Sequence, residues 1–101
     1  MLFAVPDDSR LEIIRLLDLV RRRLTASADS DWAVSVPETA ASIVAREIKS
    51  LEIDKTFVDR AELETLFLPT GDIQEIAISN GWAEEFVALT EQLDFALRHL
   101  R

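Results

Sequence analysis

The chain has 101 residues, 49% of them hydrophobic, a formal net charge of −8 and no cysteine. This is enough for one ordinary core, and it excludes disulfides, thiolate catalysis and cysteine-ligated zinc. The charge is uneven: residues 59–94 hold nine acids and one base, so this third of the chain carries the whole net charge. Such an excess bears on partners and solubility, not on fold. It favours a basic partner and disfavours nucleic acid.

Met1 to Pro6 is apolar but lacks the basic start and long apolar run of a signal peptide. No run approaches the ~18 apolar residues of a membrane span. A cytoplasmic protein is expected. No sustained apolar–polar alternation suggests a strand, and only two glycines and three prolines interrupt the chain. The pattern predicts an all-α domain over residues 1–101, a compact bundle of about five helices, two of them short.

The first helix is expected to start after Pro6-Asp7-Asp8-Ser9, whose short polar side chains suit an N-cap. Ile13, Leu16, Leu17, Val20 and Leu24 form its stripe. Arg21-Arg22-Arg23 lies near its C-terminal end, where cations meet the negative end of the helix dipole. Leu11 and Leu19 lie off the stripe, to be covered by another helix or by a second copy. A polar connection, Thr25 to Ser35, contains Trp32 and Val34, with the indole read as a core plug. Ser35-Val36-Pro37-Glu38 has capping-box spacing with proline in the first turn. The helix it opens lines up Ala40, Ala41, Val44, Ile48 and Leu51.

Asp59-Arg60-Ala61-Glu62 starts a short third helix carrying Leu63, Leu66 and Phe67, ended by Pro69-Thr70-Gly71. Asp72 opens and caps the next, which Asn80-Gly81 ends with a pair that tolerates left-handed geometry. The last helix runs from about Trp82 to Leu100. Trp82, Phe86, Leu89, Leu93, Ala96, Leu97 and Leu100 share its inner face.

The segment Ile73-Gln74-Glu75-Ile76-Ala77-Ile78-Ser79-Asn80-Gly81-Trp82 resembles the first half of a helix-turn-helix, over roughly 25 residues with the helix that follows. That second helix begins Ala83-Glu84-Glu85-Phe86-Val87 and offers no base-reading Arg, Lys, Asn or Gln before Gln92. DNA phosphates would meet carboxylates, reversing the term that normally supplies affinity. The shape therefore serves packing.

Catalytic equipment is sparse. His99 is the only histidine and is read as a solvated residue near a helix end. Asp29-Ser30-Asp31 lacks the glycine and closing glutamate of a calcium loop. Neither Asp8-Ser9-Arg10 nor Ser30-Asp31-Trp32 matches the prosthetic-group serine of acyl carrier proteins. His99 is too close to the end to match the mid-helix histidine of phosphotransfer domains. No enzyme activity, metal or cofactor is expected.

Phe95 lies nearly opposite the last helix's stripe, with Glu84, Ala88, Glu91 and Arg98 as neighbours by helical angle. It is either an anchor ringed by charge or a residue covered by another helix. The expected partner-binding set is Glu84, Glu85, Glu91, Asp94 and Phe95. The expected function is a non-catalytic binding or inhibitory protein, such as an immunity protein neutralising a basic, toxin-like partner. Colicin-type immunity proteins share this acidic helical character, while none of their sequence motifs is present. The alternative is a small scaffolding or assembly subunit, or a homodimer, suggested by Leu11, Leu19 and Phe95.

Overall fold

The structure is a computed structural model that describes residues 7–27, 37–69 and 71–99. Five helices and no strand occur among the described residues: α1 (Asp7–Ala26), α2 (Pro37–Ile53), α3 (Arg60–Leu66), α4 (Asp72–Asn80) and α5 (Ala83–Arg98). The two short helices are α3 and α4. The readings of Trp32, Val34, Ser35, Leu100 and Asp29-Ser30-Asp31 fall outside the described residues.

α1 packs against α2 and α5, α5 also meets α4, and α2 reaches α3 and α4. The α1 stripe lies where the 3.6-residue period puts it: Ile13, Leu16, Leu17, Val20 and Leu24 are all buried. The helix begins at Asp7, inside the polar stretch expected to precede it. Leu19 is half-buried against the core, so the domain itself covers it, whereas Leu11 remains exposed. On α2, Ala40, Val44 and Leu51 are buried, and Ala41 and Ile48 pack at the core's edge.

Each short helix is fixed at its ends. The Asp59 carboxylate accepts the Glu62 N–H at 3.0 Å and caps α3. α4 departs from expectation. Gly71 occupies its N-cap position without a side-chain hydrogen bond, and Asp72 is the first helical residue. Asp72 there meets the positive end of the dipole instead of capping. Space favours glycine at position 71: a Cβ would lie 3.0 Å from the Thr65 carbonyl and 3.1 Å from those of Leu66 and Leu68, tighter than most such contacts.

At the other end of α4, Gly81 takes φ 80°. The Trp82 N–H bonds the Ala77 carbonyl at 3.0 Å, and the Gly81 N–H bonds that of Ile78 at 3.4 Å. Two left-over carbonyls are thereby satisfied, and the chain turns straight into α5. Trp82, Phe86, Leu89, Leu93, Ala96 and Leu97 then enter the core. Phe86 anchors an aromatic set, 5.9 Å from Phe67 (stacked) and 6.1 Å from Trp82 (edge-on) between ring centroids. The Trp82 indole N–H donates to Ser27 Oγ at 3.0 Å, tying the start of α5 to the end of α1.

Candidate functional site: the outer face of α5

Burying one side of α5 dictates what the other side presents. Phe86, Leu89, Leu93, Ala96 and Leu97 point inward. Helical spacing therefore sets Glu84, Val87, Ala88, Glu91, Asp94, Phe95 and Arg98 on the outer face. All seven are exposed. Phe95 is 67% exposed and Val87 49%, so no helix of the described residues covers the Phe95 ring. Among the described residues its one ring neighbour is His99, 4.3 Å away between centroids. His99 is exposed too, and its Nδ1–H donates to the Phe95 carbonyl at 2.7 Å in the tautomer protonated there. That bond serves a carbonyl at the helix end.

The acids of residues 59–94 divide by what they touch. Glu62 bonds Arg46 at 2.6 Å, Glu64 pairs with Arg60 at 3.2 Å, and Asp59 caps α3. Glu85 pairs with Arg23 of α1 at 2.5 Å, which draws it to the side of α5 that meets α1. Glu84, Glu91 and Asp94 make no ion pair with any described residue. Of the five candidates, four share the outer face: Glu84, Glu91, Asp94 and Phe95. Glu85 stands apart. Arg98 is the only base on α5 and sits at its C-terminal end, beyond the three acids.

One charged centre escaped the sequence reading. Glu47 is fully buried and receives the backbone N–H groups of Val58 at 2.8 Å and Asp59 at 2.9 Å. The Arg46 guanidinium reaches it at 2.8 Å while also bonding Glu62. These bonds, first to Glu47 and then to Glu62, hold the Arg46 pKa above its ordinary value. Nearby, Ser50 Oγ–H donates to the Thr56 carbonyl at 2.7 Å. Lys55 takes φ 61° in the same turn, and Arg60 lies over the Phe57 ring at 5.9 Å while reaching the Leu97 carbonyl at 3.2 Å. This corner joins α2, α3 and the end of α5. Glu47 falls on the Ala40–Val44–Leu51 side of α2, a position that could have marked it as buried.

The Arg21–Arg23 run is also engaged. Arg21 and Arg22 pair with Asp18 at 2.7 and 3.0 Å, and Arg23 holds Glu85. Mainly through the Arg21 hydrogen bond, the Asp18 carboxyl is held below the usual aspartate range. Glu12 is lowered in the same way by Arg15. No group of three acids, histidines or cysteines suited to a metal ion occurs among the described residues. No helix among them is long and apolar enough to cross a membrane.

The chain matches no protein-family model, no curated protein and no solved structure, so the site is read from its own residues.

Proposed function

We propose that the protein is a non-catalytic, acidic binding or inhibitory protein of the immunity type, neutralising a basic, toxin-like protein partner through the outer face of α5. The observation that carries this reading is Phe95, 67% exposed, on one face with Glu84, Glu91 and Asp94, which no described cation neutralises. An exposed aromatic ringed by charge has the makeup of an interface anchor with a polar rim. Unneutralised carboxylates speed encounter with a basic surface and disfavour nucleic acid. The lack of cysteine anywhere in the chain suits a reducing cytoplasm as the place of action.

The test is capture from native-host lysate at low salt by the immobilised protein and by the variant Glu84→Lys/Glu91→Lys/Asp94→Lys. A basic protein retained by the natural sequence and lost by the variant is the expected outcome. Retention by both, or retention of no basic protein, contradicts the proposal.

A second reading, an assembly subunit or homodimer, is favoured by Leu11 and Phe95, both exposed apolar residues. Leu19 no longer supports it. A symmetric dimer across the α5 face would set each copy's acids against the other's, and like charges in close opposition are unfavourable. Light scattering at micromolar concentration separates the readings: a strict monomer removes the homodimer.

A further inference from the structure

Glu91 borders two depressions. On the α1 side, Glu12, Gln92, Phe95 and Ala96 join it in lining a groove of about 480 Å³. A cation already sits at that edge: Arg15 bonds Glu12 at 2.7 Å and approaches Gln92 Oε1 at 3.4 Å. A second cation would be repelled there.

The α4 side differs. A cavity of about 260 Å³ has Phe67, Phe86 and Val87 as apolar walls, Gln74 and Thr90 between them, and Glu91 and Asp94 at its mouth. No base lines it. Gln74 Oε1 and Thr90 Oγ1 are both shielded from solvent and have no hydrogen-bond partner among the described residues. A polar atom withdrawn from water without a partner is destabilising; Gln74 Oε1 can only accept, and the Thr90 hydroxyl can accept as well as donate, so a donor at this cavity would answer both. The cavity suits a molecule with an apolar body and a donor-rich, positively charged end.

We propose that the α4–α5 cavity binds a lysine or arginine side chain of the basic partner. The alkyl stem lies against Phe67, Phe86 and Val87, as such stems do on apolar surfaces. The cationic head donates to Gln74 Oε1 and Thr90 Oγ1, with the carboxylates of Glu91 and Asp94 beside it. Both oxygens are covered in the unbound protein, so entry turns the half-buried Gln74 side chain toward the head. This assignment rests on the binding reading of the α5 face and specifies the chemistry that face selects.

The experiment is an amide NMR titration at low salt with the methylamides of Nα-acetyl-arginine and Nα-acetyl-lysine. The uncharged citrulline analogue, of the same shape as arginine, is the control. Shifts concentrated at the Gln74 side-chain amide, Val87, Thr90, Glu91 and Asp94 are expected, with arginine or lysine binding at least about fivefold tighter than citrulline, as charge-assisted bonds require. The double variant Gln74→Met/Thr90→Val keeps the shape and removes both acceptors. It should unfold at a higher denaturant concentration than the natural sequence and bind the charged probes about tenfold more weakly. A merely structural role would not move stability and binding in opposite directions.

Equal binding of citrulline, shifts spread evenly over the acidic surface, or unchanged probe affinity in the double variant would each overturn the proposal. The lysate capture keeps the two claims separable. A basic protein retained by Gln74→Met/Thr90→Val but lost by Glu84→Lys/Glu91→Lys/Asp94→Lys leaves the α5 face standing and removes the cavity. Charged probes bound in the cavity while the triple reversal leaves capture unchanged would remove the face instead.

Discussion

The α2–α3 corner and the outer face of α5 are both rich in acid, yet they use it in opposite ways. In the corner four carboxylates answer donors of the fold. Glu47 holds two backbone N–H groups and Arg46, Glu62 holds the same arginine, Asp59 caps α3, and Glu64 meets Arg60. On α5, Glu84, Glu91 and Asp94 answer nothing in the described protein, and Glu91 and Asp94 flank an exposed Phe95. The first set serves the fold, with the buried Glu47 at its centre and the others in exposed, weaker contacts. The second is left for whatever approaches it. Net charge alone cannot tell these sets apart; partnership can.

That contrast makes removal of Glu47 the largest expected effect. Glu47→Ala leaves the part-buried Val58 and Asp59 N–H groups without their acceptor and empties a buried site, and should cost about 2–4 kcal/mol. Glu47→Gln keeps the volume but turns an amide donor toward donors, at roughly 1–3 kcal/mol. Urea unfolding followed by circular dichroism measures both. A loss below ~1 kcal/mol for the alanine variant would mean the corner does not need its carboxylate, and the comparison would collapse.

The turns that aim α5 come next. Gly81→Ala puts a side chain at φ 80° and should cost about 1–2 kcal/mol, even though space for the Cβ is free. Asp59→Ala should cost about 1 kcal/mol by uncapping α3. On the α5 face, by contrast, Glu84→Gln/Glu91→Gln/Asp94→Gln should alter stability by no more than ~0.5 kcal/mol. A clear loss there would show that these acids, too, hold the fold.

The smallest effect is a pH dependence on α1. The Arg21 hydrogen bond lowers the folded-state pKa of Asp18 below its unfolded value of ~3.9. The pair's contribution is therefore fully present above the unfolded pKa and disappears as pH falls through the lower folded one. Because the pair is largely solvated, Asp18→Asn should cost only about 0.3–0.5 kcal/mol at pH 7. The two proteins should become equally stable in acid, at ~pH 2. Unfolding midpoints across pH 2 to 7 measure this, and a gap that persists in acid would contradict it.

Much of the fold was legible because its determinants are local. The spacing of Ile13, Leu16, Leu17, Val20 and Leu24 fixes a face, the Asp59–Glu62 spacing fixes a cap, and Asn80-Gly81 fixes a turn. What was not legible depends on residues distant in sequence. Glu85 looks like Glu84 until Arg23 is brought beside it, and nothing adjacent to Gly71 announces that three carbonyls crowd it. Glu47 was the more readable miss. A carboxylate on an apolar stripe needs partners, but those it finds are backbone groups eleven and twelve residues on, invisible to side-chain pattern. The outer-face position of Phe95 followed from helical angle; its exposure required knowing where α1 lies.

The most direct test sets the two regions against each other at equal net charge. One variant carries Asp59→Asn/Glu62→Gln/Glu64→Gln in the corner and the other Glu84→Gln/Glu91→Gln/Asp94→Gln on α5, each removing three negative charges. Both are compared with the natural sequence for retention of the basic host protein at low salt. Retention by the corner variant and loss by the α5 variant is the predicted result. Equal loss from both would mean that bulk charge alone attracts the partner, and would contradict a binding face on α5.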